Sequence, residues 1–242
     1  MFEPRSRTDS HLPRDWPEIM RRQSESAHSP ILRDFYARGC VEADRALGDT
    51  PLVALDLETT GLDPDHHSIV SLGLVPFSLK RIVCRESVYR VVQPRREPDA
   101  ESIVIHHITH SEMADAPDIA DVLELLLSAL AGKVVVVHYR AIERRFLDAV
   151  CRNRLGEGLV FPVIDTMAIE ARLHPRRKPG LIDRWLGRKP VSLRLAACRE
   201  RYHLPYYAPH HALTDALATA ELLQAQVAHR YGPETPIGDL WL

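Results

Sequence analysis

Four consecutive valines at 134–137 lie between two segments that read as helices. A strand with one face in water alternates apolar and polar residues, and this one does not. It needs cover on both faces, which calls for an interior position in a sheet flanked by helices. The segment before it, 118–131, sets Ile119, Val122, Leu123, Leu126, Leu127 and Leu130 at helical spacing, and Gly132 follows as a C-terminal stop. The segment after it, 140–152, reads as a second helix, and 160–164 as a further buried strand. Residues 166–173, 192–202 and 212–230 read as three more helices, the last ending before Gly232 and Pro233.

Upstream, residues 52–57 form a short apolar strand. The β-rich runs 69–77 and 81–92 surround a turn at 78–80, so three strands are expected to form an antiparallel meander. The order is βββ, then αβαβ, then helices, which predicts an α/β domain with a mixed sheet. Residues 1–30 are polar and punctuated by Pro4, Pro13, Pro17 and Pro30, as in an extended arm or short helical pieces. Residues 31–47 read as an amphipathic helix leading into the domain.

The chain has 242 residues, 45% of them hydrophobic and 26% charged. That composition excludes a disordered or collagen-like protein. Cys40, Cys84, Cys151 and Cys198 are far apart, which argues against a zinc site or a disulfide framework. There is no apolar signal region, and no segment reaches the roughly 18 apolar residues of a membrane span. A cytoplasmic, reduced protein without a membrane partner is expected. A net charge of −2 rules out a simple polycation, but not a local basic channel.

Three constellations carry chemistry. Strand 52–57 runs into Asp56-Leu57-Glu58, then Thr59-Thr60-Gly61. Side chains at i and i+2 of a strand share a face, so the two carboxylates sit side by side. Adjacent carboxylates repel unless a cation lies between them, and hard oxygen ligands suit Mg²⁺ or Mn²⁺. Alone, such a pair is also what a solvated strand end looks like. The threonines and glycine add hydroxyls and backbone N–H groups beside it, where a sugar or phosphate could dock. In the second constellation, His210 precedes helix 212–230 and Asp215 lies on it. Five residues on a helix amount to about 500°, so the two do not share a helical face. A fixed metal ligand at Asp215 and a mobile proton acceptor at His210 fit that placement. The plainer reading makes His210 and His211 polar caps. Third, strand 134–137 runs into His138-Tyr139-Arg140-Ala141-Ile142-Glu143. Glu143 either points back to the strand end or pairs with Arg140 or Arg144.

Taken in order, these segments resemble the DnaQ-like, DEDD-type 3′→5′ exonucleases with a catalytic histidine (DEDDh), as in the exonuclease domain of the polymerase III epsilon subunit. Asp56 to Leu62 is similar to the first motif, D-x-E-T-T-G-L, and His210 to Asp215 to the third, H-x(4)-D. His106-His107-Ile108-Thr109 followed by Ala116-Pro117 is similar to H-G-I-T…A-P. Val163-Ile164-Asp165-Thr166 is similar to the family strand ending in D-T. The resemblance covers residues 50–231. In the middle motif, usually H-N-x-x-F-D, Tyr139 replaces the asparagine, Ile142 the phenylalanine and Glu143 the aspartate.

The resemblance implies a ribonuclease H-like fold, a five-stranded mixed sheet flanked by helices, occupying 49–232 between an N-terminal extension (1–48) and a C-terminal tail (233–242). It implies two divalent metal ions, Mg²⁺ or Mn²⁺. Asp56 would bind both, Glu58 and Asp215 would complete one site, and Glu143 would lie at the other. If Glu143 proves dispensable, Asp165 is the fallback. His210 would take the proton of the attacking water. Thr59, Thr60, Gly61, Leu62 and His106 would bind the terminal nucleotide. The implied activity is release of nucleoside 5′-monophosphates from single-stranded DNA 3′ ends in proofreading or repair. RNA or short-oligonucleotide trimming is the alternative, and a catalytically weakened nucleic-acid-binding module is a third reading. The stretch 172–189, with Arg172, Arg176, Arg177, Lys178, Arg184, Arg188, Lys189 and Trp185, is either the nucleic-acid path or a solvated loop. Only 231–242 follow the last helix, so a stand-alone exonuclease, or one serving another partner, is expected over a true proofreading subunit. The extension and the tail ending Leu240-Trp241-Leu242 are either docking elements for a polymerase or other protein, or ordinary packing segments.

Overall fold

The alternation of side chains along the first strand decides how the layers assemble. The computed structural model describes residues 15–95, 108–174 and 191–242. Strand β1 (Leu52–Thr59) sends Val53, Leu55 and Leu57 into one apolar cluster, and Leu52 and Ala54 into another on the opposite face. Asp56 and Glu58 continue the Leu52–Ala54 row. β1 pairs antiparallel with β2 (Ile69–Phe77), which pairs antiparallel with β3 (Val88–Val91). On its other side β1 pairs parallel with β4 (Val134–Val137), and β4 with β5 (Val163–Asp165). The order β3-β2-β1-β4-β5 is the expected five-stranded mixed sheet. All four valines of β4 are buried, two in each cluster.

Among the described residues the helices are α1 (Trp16–Ser26), α2 (Pro30–Ala37), α3 (His110–Ala114), α4 (Ile119–Leu130), α5 (Ala141–Leu155), α6 (Thr166–Leu173), α7 (Leu195–Arg201) and α8 (Ala212–Arg230). Helices α2, α4 and α5 cover one face of the sheet with Leu32, Phe35, Leu123, Leu126, Phe146 and Leu147. Helix α8 covers the other with Ala216, Ala220, Leu223 and Val227, joined by Ile169 of α6. No described helix is long and apolar enough to cross a membrane.

Two expectations need correction. The helix expected over 31–47 is only α2: it stops at Arg38, and Gly39 turns the chain with φ +62°. Of the two readings of the preceding segment, its described part holds the short helical piece: α1 spans 11 residues. Its apolar periodicity is weak, because only Trp16 and Met20 are buried, and Glu18, Arg21, Arg22 and Glu25 pair along its surface. The run 81–92 is strand only at Val88–Val91. A 3₁₀ turn at Cys84–Glu86 breaks it, leaving Ile82 in an isolated bridge to Phe77.

The tail belongs to the packing. Leu240 and Trp241 are buried with Trp16 and Ile164, the Leu242 N–H donates to Val163 O at 2.8 Å, and Ala46 bridges Pro236. A short antiparallel segment thereby covers the outer edge of β5. These side chains are packing elements, not exposed docking anchors.

Candidate active site

A glycine in the middle of a strand weakens it and marks a close approach. Gly73 of β2 sits opposite Asp56. A Cβ there would lie 2.3 Å from the Ala212 carbonyl oxygen and 2.4 Å from the Leu213 nitrogen. The first turn of α8 thus rests on the sheet beside the end of β1. Asp215, in that turn, meets the row carrying Asp56 and Glu58. Each of these three acids offers an oxygen, and the three atoms lie within 4.8 Å of one another. Burial pushes the Asp56 carboxyl well above the usual carboxylate range, and the charges of Glu58, Glu143 and Asp215 push it further. Burial also raises Asp215, against the His210 N–H that it accepts. An all-carboxylate donor set that repels itself fits a hard divalent cation.

Glu143, in the first turn of α5, lies outside that trio but close enough for its charge to act on Asp56. It is buried, and among the described residues its Oε2 has no hydrogen-bond partner. Burial raises its pKa strongly, with the Asp165 charge adding to the shift. The expected alternative, pairing with Arg140 or Arg144, is not what the structure holds. Arg140 pairs with Asp165 at 3.2 Å, and Arg144 donates to the carbonyls of Phe161 and Leu242.

Both oxygens of Asp165, the fallback for Glu143, already accept hydrogen bonds. They accept the N–H groups of Tyr139 (3.1 Å), Arg140 (3.2 Å), Met167 (3.0 Å) and Ala168 (3.2 Å), and the Arg140 guanidinium. This buried carboxylate caps α6 and ties the β4–α5 corner to β5. His138 adds a second tie, with Nδ1 2.8 Å from Thr166 Oγ1 and Nε2 2.8 Å from Leu193 O.

The two histidines before α8 divide the work. His211 is the cap: its Nδ1 accepts from the Thr214 N–H at 3.4 Å, and its ring stacks on Tyr89 with centroids 4.5 Å apart. His210 is exposed, has φ +70°, and donates its backbone N–H to Asp215 Oδ2 at 2.8 Å. At the end of β1, the threonine hydroxyls bond within their own loop. Thr59 Oγ1 donates to Gly61 O at 2.7 Å, and Thr60 Oγ1 accepts the Ser68 N–H at 3.0 Å. A Cβ on Gly61 would meet the His67 ring at 2.6 Å. Leu62 stands 73% exposed at the tip. His106, and the cationic stretch beyond 174 with Trp185, lie outside the described residues. Arg172 reaches the Asp239 carbonyl at 3.4 Å.

Gly73 was not among the expected site residues. Its signal is a glycine inside a strand that is otherwise apolar but for Ser71, IVSLGLVPF.

Residues 53–223 match the RNase_T exonuclease family. A PolC-type DNA polymerase III of Thermotoga maritima is 30% identical over 193 residues, which cover 80% of this chain but 12% of that protein. The chain therefore spans about an eighth of such relatives. The DNA polymerase III subunit epsilon of Treponema pallidum is 28% identical, over 73% of this chain and 76% of that one. Exonuclease X, solved in complex with 5′ overhanging duplex DNA, superposes with a TM-score of 0.58 at 25% identity, over 78% of this chain and 98% of that one. The nuclease domain of 3′hExo, a DEDDh family member bound to rAMP, shares the fold with a TM-score of 0.60 at 16% identity, over 74% and 92%.

Proposed function

This chain belongs to the RNase_T exonuclease family and has a ribonuclease H-like fold, and we propose that it is a 3′→5′ exonuclease of the DnaQ-like, DEDDh type that removes nucleoside 5′-monophosphates from the 3′ end of single-stranded DNA. The observation that carries the site assignment is the convergence of Asp56, Glu58 and Asp215 within 4.8 Å, with His210 bonded to Asp215.

We assign Asp56, Glu58 and Asp215 to one divalent ion, and Asp56 with Glu143 to a second, each Mg²⁺ or Mn²⁺. The orphaned Oε2 of Glu143 is the donor the second ion would use. Bound there, the ions would acidify the attacking water and stabilise the departing 3′ oxygen. A ring nitrogen of His210 accepts the water proton as the new oxygen–phosphorus bond forms and the bond to the 3′ oxygen of the preceding nucleotide breaks. The strand leaves one nucleotide shorter, and its 3′ oxygen takes up a proton. Asp215 fixes the His210 backbone and leaves the imidazole exposed to the water it serves. We assign the loop from Thr59 to Leu62 to the terminal nucleotide: the Thr60 N–H is held by Ser68 O at 2.9 Å, so the turn at Gly61 and the exposed Leu62 side chain are what would meet it.

DNA is favoured over RNA because curated relatives that the chain matches carry DNA polymerase III names and exonuclease X was solved on DNA. Retention of the four acids and the histidine supports turnover over a binding-only role. Single-stranded DNA, single-stranded RNA, recessed duplex and dinucleotides are to be incubated in parallel with Mg²⁺ and with Mn²⁺. The proposal expects single-stranded DNA to be degraded fastest, with mononucleotide products. Faster release from RNA or from dinucleotides would reassign the substrate.

A further inference from the structure

Beside the acid site, the chain holds an aromatic residue in a conformation that does not suit it. Tyr139 has φ +89°, one of three non-glycine residues with positive φ among the described residues. That region is disfavoured for any residue with a Cβ, and more so for a bulky one. Such outliers persist only where their surroundings over-determine them, and they gather at functional sites. Here the surroundings do so on both sides. The Tyr139 N–H donates to buried Asp165, and its carbonyl accepts the Ile142 N–H at 3.2 Å.

The Tyr139 side chain nevertheless contributes little to the core. It is 48% exposed. Its position follows from the register. Ala54 pairs with Val136 in parallel, so Asp56 and His138 stand two residues further along neighbouring strands, and Tyr139 comes next. Glu143 follows one helical turn later. Tyr139 therefore lies at the same sheet end as the carboxylates, on a backbone that Asp165 and the start of α5 hold in place.

We propose that the Tyr139 ring is a stacking platform for a nucleobase of the bound strand; this rests on the single-strand reading above. An exonuclease that shortens a strand stepwise meets each base in turn, and a π-face is what all bases share. Stacking on an aromatic ring is sequence-tolerant for that reason. The fixed backbone lowers the ordering cost of the contact.

The test places 2-aminopurine in turn at each of the last four positions of a single-stranded DNA 3′ end. Wild type, Tyr139→Ala, Tyr139→Phe and Tyr139→Gly bind it in EDTA, and kcat and KM are measured separately with Mg²⁺. Wild type and Tyr139→Phe should quench one position. Tyr139→Ala and Tyr139→Gly should lose that quench and raise KM about tenfold, with a smaller change in kcat. Tyr139→Gly should also melt ~2–4 °C higher, because glycine accepts the positive φ. Loss of affinity with gain of stability separates a base contact from a structural role. Wild-type quenching and KM in Tyr139→Ala would overturn this proposal alone. A wild-type chain that neither binds nor shortens a 3′ end would overturn the exonuclease reading, and this inference with it.

Discussion

The backbone N–H of His210 donates to the carboxylate of Asp215 at 2.8 Å, folding the loop back over the first turn of α8. Helical register alone puts these residues about 140° apart. The turn at His210, with φ +70°, brings them together. The acid is anchored on the helix, and the imidazole stays on the loop. His210→Gln keeps the backbone donor and removes the proton acceptor. It should lower kcat by about 10²- to 10⁴-fold and leave the divalent-metal affinity near that of wild type. Calorimetric titration with Mn²⁺ beside single-turnover kinetics measures both. A fall in both would mean that His210 acts through the fold of the site.

Gly73→Ala should separate α8 from the sheet. The new methyl group would meet the backbone of Ala212 and Leu213, which cannot rotate away. The expected cost is about 1–3 kcal/mol in stability, as for overpacked cores. Activity should fall more steeply than stability, since Asp215 moves with the helix. Urea denaturation and mononucleotide release report the two effects.

Much of this arrangement was legible in the sequence. The four valines of β4 announced an interior strand, and Ala212–Arg230 read correctly at both ends, because its apolar residues recur at helical spacing. The bounds of helix α1 were not legible, since it buries only Trp16 and Met20. The motif spacing brought out Asp56, Glu58 and Asp215, but it held nothing about which oxygen each would turn inward. That depends on Gly73 and on the bulge between Glu58 and Thr59, both tertiary features. The pairing of Arg140 with Asp165 rather than Glu143 is likewise a matter of strand register: β5 ends opposite Val137.

Glu143 should show opposite effects on rate and stability. Its buried carboxyl has an unpartnered oxygen and lies in the field of Asp165. Without metal, Glu143→Gln should raise the melting temperature, by ~2–4 °C for each kcal/mol of relieved burial penalty. Glu143→Ala should lower the rate about 100-fold or more, since even outer-shell partners of metal sites are worth 10–100-fold. A Glu143→Ala variant at the wild-type rate would remove this residue from the mechanism.

His138 predicts a pH dependence of stability. The Leu193 carbonyl can only accept, so Nε2 carries the hydrogen and Nδ1 faces the Thr166 hydroxyl. Burial holds the pKa of the ring below its ordinary value. The Leu193 carbonyl, Asp165 and Glu170 act upward, and Arg201 acts downward. Protonation therefore favours the unfolded chain. The contribution is fully present above the unfolded pKa of about 6.5 and is lost as pH falls below it. Chemical denaturation between pH 5 and pH 8 should show this slope in the wild type and a shallower one in His138→Gln. Equal slopes would contradict the assignment.

The central claim is that the carboxylates around Asp56 hydrolyse a nucleic-acid strand from its 3′ end. The direct measurement uses one single-stranded DNA labelled at the 3′-terminal nucleotide or at the 5′ end, incubated with Mn²⁺ and either wild-type protein or Asp56→Asn. Wild type should release the 3′ label at once as a nucleoside 5′-monophosphate, while the 5′ label stays on a ladder of shortening strands. Asp56→Asn should release neither. Early release of the 5′ label, internal cleavage, or full activity in Asp56→Asn would contradict the account.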